Sequence, residues 1–382
     1  MAQNDAKIQG LRAFHTFNCQ GKPTLKIIFQ VLFKLQIIDI IVDTQYCIAN
    51  ENSKILYDTN QEGDEIETMN KAIHIIESQC KKILINKSSF DQNNIDEGLL
   101  NIFNQNEGYL NITLPVSFGL ISLNSKLFYQ PAYQYIRKLS GFVKQSDSKK
   151  NYPSLMINLL QGSKVVGVKC KGEAALKYHT DGTFICTVDT ITDNLKQIEE
   201  AINKTPYKSQ VCLGLSMMAD NLYNQEKKLY ELENPKQLLD LNQLIDYYLK
   251  LSKDKPIIEY LEDPIISDDH DGWALIIQKF QNTGVKIGSR LLYKTINEIK
   301  QLSNPLTNED LPDISPEELE FKNQNRVHLD IQQINPYEFP TLTKFLELTK
   351  FLNQKKPQCA IIISENISDT NDTTIVDLAE LQ

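Results

Sequence analysis

One apolar segment that runs into a cluster of acids constrains the fold of this chain more than any other stretch. Residues 257–261 (IIEYL) read as a buried strand. Acidic side chains follow it directly, at Glu262, Asp263, Asp268, Asp269 and Asp271. Behind them, residues 273–280 (WALIIQKF) have apolar side chains at helical spacing. A strand that delivers carboxylates at its C-terminal end and then leads into a helix is typical of one βα unit of a barrel.

The length of the chain and its patterning predict two domains. The chain has 382 residues, and a domain usually holds about 100–200. The turn sequence GKP at 21–23 separates two β-branched apolar runs, which indicates a hairpin in a small antiparallel sheet. Residues 62–142 show helical spacing, and the polar stretch 143–150 predicts a boundary. We therefore predict a small α+β domain at 1–142 and a second domain at 143–382.

Charge and cysteine usage exclude several classes of function. The net charge of −9 disfavours binding to nucleic acid or to an anionic membrane surface. The most apolar stretch, 25–42, is interrupted by charged and polar residues, and the first residues lack the pattern of a signal peptide, so we expect neither a membrane span nor a signal peptide. The seven cysteines are scattered without a CxxC motif, which favours free thiols and a reducing compartment. We expect a soluble cytoplasmic protein that binds neither nucleic acid nor membrane.

Two separated motifs resemble the enolase family. The first is LEDP at 261–264 with the acids at 268–269 and Trp273, and the second is SENISDTNDTTIVDL at 364–378. The similarity in order and spacing extends over almost the whole chain. It implies an α/β fold in which an enolase-type (β/α)8 barrel follows the N-terminal domain. The barrel would be modified by a shortened second unit, an acidic insertion at 303–325 and a truncated C-terminus.

The resemblance also implies where the chemistry of the family would lie. A lysine base and two Mg²⁺ ions act on a carbon next to a carboxylate, and protein carboxylates hold metal. Position by position, this chain keeps Glu262 as one metal carboxylate, while Ser216 and Ser289 stand in place of the other two. Arg290 stands beside Ser289 in place of a further acid, and Asp330 occupies the position of the lysine base.

Other positions of the family site differ as well. Lys164 stands near the place of an active-site histidine, and Asp181 aligns with a second catalytic carboxylate. The His-Arg-Ser trio that binds phosphate is replaced by Glu365, Asn366 and Ile367. One catalytic glutamate has no counterpart, and a second active-site lysine would lie beyond the end of this sequence. We therefore expect no catalytic, substrate-binding or metal-binding residue, only the vestigial positions Asp181, Asp330 and Glu365.

Ordinary structural roles compete with these functional interpretations. Glu262 and Asp263 would serve equally as strand-end carboxylates that cap the next helix. Trp273 fits a core position, and Asp181 precedes Gly182 in a dipeptide that turns favour.

The resulting hypothesis is a catalytically inactive enolase-like protein that serves as a structural or protein-interaction module. No cofactor is expected, although the family uses Mg²⁺. Expected partners are proteins, with a homodimer by family resemblance and a cilium or axoneme as a hypothetical location. The alternative is a divergent lyase that acts on 2-phosphoglycerate or an altered substrate; an active enolase with differently aligned motifs is a third hypothesis. The charged residues available to a divergent enzyme are Lys164, His179, Asp181, Glu262, Arg290, Asp330 and Glu365.

Overall fold

The computed structural model divides into two compact units. It describes residues 6–19, 21–44, 65–102, 110–141, 154–157, 160–161, 184–185, 190–232, 236–293, 315–317, 327–355, 359–364 and 370–380. One unit comprises Met1–Leu155, Ile334–Gln354 and Ile363–Gln382, and the other comprises Met156–Gln333 and Lys355–Ile362. The predicted boundary at 142/143 and nearly all of the acidic insertion lie outside the described residues. The same holds for Lys164, His179, Asp181, Glu365, Asn366 and Ile367.

The strands of the structure are β1 (Lys7–Phe17), β2 (Pro23–Phe33), β3 (Gln36–Asp43), β4 (Leu160–Gln161), β5 (Phe184–Ile185), β6 (Leu213–Ser216), β7 (Tyr223–Asn224), β8 (Leu229–Leu232), β9 (Gln237–Leu239), β10 (Ile258–Glu262), β11 (Lys286–Ser289), β12 (Ile331–Ile334) and β13 (Ala360–Ile363). The α-helices are α1 (Glu65–Ile75), α2 (Lys81–Leu84), α3 (Gln92–Asn101), α4 (Leu110–Phe128), α5 (Ala132–Ser140), α6 (Ile191–Asn203), α7 (Leu241–Asp254), α8 (His270–Phe280), α9 (Leu342–Lys355) and α10 (Thr374–Ala379). A π-helix at Ile76–Cys80 joins α1 to α2.

The first unit is built on an antiparallel sheet in the order β1-β2-β3. In β2 the odd-numbered residues from Leu25 to Phe33 are buried, because successive side chains of a strand point to opposite faces. The buried face packs with α1, α3 and α4 around one apolar core. The predicted hairpin around residues 21–23 is confirmed by the antiparallel pairing of β1 with β2.

Helix α9 is held to this unit by a buried polar cluster. The carboxylate of Asp96, which is 1% exposed, accepts hydrogen bonds from the backbone N–H and the hydroxyl of Thr343. The Leu342 N–H donates to the Ser117 hydroxyl at 2.9 Å. Both bonds satisfy N–H groups in the first turn of α9, which have no partner within the helix itself.

The second unit contains the parallel sheet β13-β12-β11-β10-β6. Strand β10 lies between β6 and β11, pairs with both in parallel, and is followed by α8. The carboxylate of Asp269 caps α8 by accepting the Gly272 N–H at 2.9 Å. The predicted helical cap at Glu262 or Asp263 is therefore wrong, because Asp269 holds that position. The βα unit predicted from residues 257–280 is confirmed.

Trp273 is a core residue of the second unit, as predicted. Its side chain is 0% exposed, and its indole N–H donates to the carbonyl of Ile266 at 3.0 Å. The side chain thus joins α8 to the turn that leaves β10. Across the described ranges, no helix combines the length and apolar character needed to cross a membrane.

Candidate functional site

The candidate site lies at the C-terminal ends of β6, β10 and β11. Glu262, the last residue of β10, is in register with Ser216 on β6 and with Gly288 on β11. Ser289 ends β11, and Asp263 follows Glu262 directly. Because parallel strands end at the same edge of a sheet, four sequence-predicted positions come together there. They are Ser216, Glu262, Asp263 and Ser289.

Glu262 is buried, and its carboxylate is held by hydroxyl groups. The residue is 6% exposed, and Oε2 accepts a hydrogen bond from the Tyr260 hydroxyl at 3.0 Å. Burial raises the pKa of Glu262 above its ordinary value, and the neighbouring charge of Asp263 adds to the effect. Hydrogen bonds from Ser216 and Tyr260, with the charge of Arg290, lower the pKa without cancelling the effect of burial.

Asp263 turns away from strand geometry and binds the segment after β11. Its backbone has φ of +45°, and the residue is 2% exposed. Oδ1 accepts the Ser289 hydroxyl together with the N–H groups of Arg290 at 3.1 Å and Leu291 at 3.2 Å. Burial raises the pKa of Asp263 although these hydrogen bonds oppose the shift. The carboxylate therefore fixes the turn in which Ser289 lies.

Ser289 uses its hydroxyl fully within this turn. The residue is 0% exposed and its hydroxyl donates to Asp263. The same oxygen accepts the N–H groups of Leu291 at 3.0 Å and Leu292 at 2.8 Å. One donor and two acceptor sites are all that a hydroxyl offers. The short spacing between Ser289 and these N–H groups is the pattern of a local serine turn, a signal that the sequence contains.

Asp330 lies one strand further along the sheet and binds β11. Its Oδ2 accepts the Ile287 N–H at 3.0 Å, and the Ile287 carbonyl accepts the Asp330 N–H at 3.0 Å. Lys286 places its Nζ 3.6 Å from Oδ1. The carboxylate at the predicted base position thus binds the backbone of β11 at Ile287, two residues before Ser289.

Sequence reasoning missed Tyr260, which fills the space beneath Glu262. A Cβ added to Gly214 on β6 would lie 2.9 Å from Tyr260 Cδ1, and one added to Gly288 on β11 would lie 2.7 Å from the Tyr260 hydroxyl. The tyrosine ring therefore lies against both neighbouring strands where they carry glycine. Its position two residues before Glu262 was the available signal, since such residues share one face of a strand.

Comparison with known proteins identifies the ancestry of this arrangement. The family model described as the enolase C-terminal TIM barrel domain matches residues 160–380. The chain belongs to the enolase family. It is 26% identical to the enolase of Ehrlichia canis (strain Jake) over 342 residues, which is 81% of this chain and 74% of that protein. It is 25% identical over 349 residues to the enolase of Ehrlichia chaffeensis, with the same coverage. The predicted family and its barrel fold are confirmed.

The family's metal, Mg²⁺, requires several hard oxygen ligands in near-octahedral geometry. In the described part of this enolase-family chain, no three His, Cys, Asp or Glu side chains form a candidate metal-binding group. Glu262 Oε2 and Asp263 Oδ1 accept hydrogen bonds from protein groups, and Ser289 Oγ accepts two N–H groups. The described residues do not fit a family-type Mg²⁺ site.

The buried carboxylate of Glu262 makes the stability of this enolase-family barrel depend on pH. Its pKa is raised in the folded state, so the folded state retains a proton that the unfolded chain releases. This contribution to stability is present at low pH. It is lost progressively as the pH rises from about 4, the ordinary pKa of a glutamate side chain, through the raised pKa of Glu262 in the folded state. We expect Glu262→Gln to remove this loss, because the amide does not ionise and its oxygen can still accept the Tyr260 hydroxyl.

Urea unfolding of the unmodified and variant proteins from acidic to neutral pH measures the effect. The matched control is Glu231→Gln. Lys227 lowers the pKa of Glu231, so ionisation of this carboxylate adds to the stability of the protein as the pH rises. The two variants should change the pH dependence in opposite directions. A Glu262→Gln protein with the pH profile of the unmodified chain would contradict the expectation.

Proposed function

We propose that this chain is an enolase-family protein without enolase activity, retained as a structural or protein-interaction module. The observation that carries the proposal is that the Ser289 hydroxyl, at the C-terminal edge of the sheet, donates to Asp263 and accepts the N–H groups of Leu291 and Leu292, which uses all of its hydrogen-bonding capacity. By resemblance to the family, a metal carboxylate belongs at the position of Ser289. Here a neutral, fully buried hydroxyl serves the local turn instead.

The position of the base supports the same proposal. Asp330 places a short acidic side chain where the family has the longer amine of a lysine, so both the reach and the charge of the family base are missing. Its carboxylate also accepts a backbone N–H and faces Lys286, both on β11. Loss of a general base alone removes about 10²–10⁴-fold of a rate.

The proposal predicts that Mg²⁺ will not bind at the strand ends. Two family carboxylates are replaced by Ser216 and Ser289, so the attraction for a divalent cation is reduced by two negative charges. Calorimetric titration with MgCl₂ should give no saturable heat for the unmodified protein. A millimolar or tighter site that disappears in Glu262→Gln would contradict the prediction, because that variant removes only the retained carboxylate charge.

The decisive experiment is a coupled assay for conversion of 2-phosphoglycerate to phosphoenolpyruvate in excess Mg²⁺. We expect the purified protein to give the background rate. An authentic enolase in the same buffer is the positive control, and Asp330→Ala is assayed in parallel. Turnover by the unmodified protein would overturn the proposal.

A divergent lyase is the second candidate, favoured by the match to enolases over 81% of the chain. In that case Asp330 would have been recruited as a carboxylate base. Turnover of 2-phosphoglycerate, or of another 2-hydroxy acid phosphate, that is lost in Asp330→Ala would establish it. Equal background rates for both proteins would favour the inactive module.

Partners and location belong to the same proposal. A protein that works as a scaffold is expected to copurify with protein partners, and we propose a ciliary or cytoskeletal assembly as its setting. Imaging of the tagged chain in its native cell tests this location. Tagged protein that is absent from cilia and cytoskeleton would reject the setting while leaving the enzymatic question to the assay.

A further inference from the structure

We propose that one end of the first unit is a docking surface from which Leu35 and Tyr129 insert into an apolar pocket, rimmed by acids, on a different protein. The inference rests on the interaction role in the proposed function and names the surface that would serve it. It does not require the loss of enolase activity. We call this end, formed by Leu35, Phe90 and Tyr129, the anchor surface.

Two turns lie side by side at the anchor surface. Leu35 belongs to the two-residue turn between β2 and β3, which is closed by the pairing of Phe33 with Gln36. Tyr129 follows directly after α4, whose last residue is Phe128. The rings of Phe33 and Phe128 pack edge to face with their centroids 5.3 Å apart. The β2–β3 turn and the end of α4 are therefore neighbours.

A packed aromatic cluster supports both turns. The ring centroid of Phe90 lies 4.8 Å from that of Phe128 and 5.9 Å from that of Tyr135. Phe33 and Tyr135 are buried, and Phe128 packs against the apolar core of the unit. The two projecting side chains thus stand on a base that the fold holds in place. Such preorganisation lowers the entropy lost when a side chain is fixed by a partner.

Leu35 and Tyr129 project almost completely into solvent. Leu35 is 94% exposed and Tyr129 is 97% exposed. Single apolar residues on a surface are ordinary. Here two of them lie on adjacent turns, and large side chains that fill pockets on a partner carry much of the binding energy of protein interfaces. Because they project from the surface, the partner must provide the concave side.

The backbone at Leu35 is strained by the side chain that it presents. Lys34 and Leu35 have φ of +48° and +65°. Two-residue hairpin turns with positive φ at both positions strongly prefer Asn-Gly or Asp-Gly, and a bulky residue there is an outlier. Glycine at position 35 would suit the turn better. A leucine in this place therefore indicates a use outside the fold of this chain.

Tyr129 repeats this pattern at the end of α4. Its φ is +49°, and the N–H of Gln130 donates to the carbonyl of Ser125 at 3.2 Å. This bond closes a Schellman motif, in which the left-handed residue is usually glycine. Both exposed apolar side chains thus stand at positions where the backbone favours glycine. Strain of this kind is concentrated at functional positions.

Lysine side chains surround the anchor surface in a chain whose net charge is −9. Lys34 places its Nζ 5.0 Å from the centroid of the Phe33 ring. Lys7 begins β1 at the same end of the sheet, and the carbonyl of Lys87 accepts the N–H of the next residue, Ile8. The local charge is therefore opposite in sign to the charge of the whole chain.

This charge identifies the chemistry of the partner. Asp91 also lies at this end, but its carboxylate accepts the side-chain amide of Asn94 at 2.7 Å. Acidic side chains around the partner's pocket would complement the lysines and speed association. A second copy of this chain would present the same lysines, so like charges would meet.

Urea unfolding of the full chain tests whether the two side chains serve its own fold. We expect Leu35→Gly and Tyr129→Gly each to raise the midpoint of unfolding, because glycine adopts a positive φ without steric cost. A side chain that stabilises its own chain predicts the opposite change. A lowered midpoint for either variant would overturn the proposal.

Site-specific cross-linking identifies the partner. The full chain, with a photoreactive phenylalanine analogue in place of Tyr129, is irradiated in its native cell, and the cross-linked protein is identified by mass spectrometry. That protein is then purified and titrated with the unmodified chain and the variants. We expect Leu35→Gly and Tyr129→Gly each to weaken binding by about tenfold or more. Lys34→Glu and added NaCl should also weaken it.

Met218→Gly is the matched control. Met218 also has a positive φ, +44°, and is 50% exposed, but it belongs to the second unit. Its replacement relieves similar strain and should leave the affinity unchanged. Equal affinity of all three glycine variants, cross-linking only to a second copy of this chain, or no cross-linked protein would overturn the proposal.

The two proposals fail in different experiments. Turnover of 2-phosphoglycerate in the coupled assay would overturn the inactive module, while the effects of Leu35→Gly and Tyr129→Gly on partner binding would still stand. Unchanged partner binding by these variants would reject the anchor surface, while a background rate in the assay would still support the inactive module.

Discussion

Replacing Ser289 by aspartate is expected to lower the free energy of unfolding by about 3–5 kcal/mol, the range for an unpaired buried charge. The substitution restores the residue type that the family resemblance places there. In this structure it sets a carboxylate against Asp263, whose Oδ1 accepts the Ser289 hydroxyl. An ionised carboxylate has no proton to donate. The site is fully buried, so water does not screen the repulsion.

Ser289→Asn is the matched control. Asparagine has the same shape as aspartate and is neutral, and its amide can donate to Asp263. Chemical denaturation of both variants separates charge from size, and we expect the asparagine variant to be much more stable. Equal stability of Ser289→Asp and Ser289→Asn would contradict the buried hydrogen bond from Ser289 to Asp263, because a second carboxylate would then not repel Asp263. If MgCl₂ restored the stability of the aspartate variant alone, one carboxylate would suffice to recreate a metal site.

Trp273→Ala is expected to lower the free energy of unfolding by about 3–5 kcal/mol, as for other large aromatic residues truncated in a core. The side chain is 0% exposed and is the largest of the fully buried side chains. Its removal leaves a cavity between α8 and the rest of the second unit. It also leaves the Ile266 carbonyl without the indole N–H.

Trp273→Phe separates the cavity from the hydrogen bond. Phenylalanine fills most of the space but cannot donate, so a smaller loss is expected, with a contribution of about 1 kcal/mol from the hydrogen bond. Denaturant unfolding of the two variants, followed by circular dichroism, measures the difference. A small loss in Trp273→Ala would mean that α8 does not depend on this residue for its packing.

The amino-acid sequence by itself determined the local elements and their order. The β-branched apolar runs on either side of residues 21–23 and the apolar run before Glu262 are properties of short segments, and all of them form strands. The sequence also predicted which residues end neighbouring parallel strands, including Ser216, Glu262 and Ser289. For Ser216 and Ser289 this prediction came from the resemblance to the family, because neither is followed directly by the acids that mark the end of β10. The family motifs extended this to the barrel.

Only the tertiary structure decided what these side chains bind. Ser289 and Asp263 are 26 positions apart in the chain, and their contact follows from the register of β11 with β10. Tyr260 fills the space beneath Glu262 because both adjacent strands carry glycine where its ring lies. Asp330 binds the β11 backbone, a choice that depends on the pairing of β12 with β11. Periodicity sets the face on which a residue lies, whereas cross-strand register selects its partner, and no single segment contains that register.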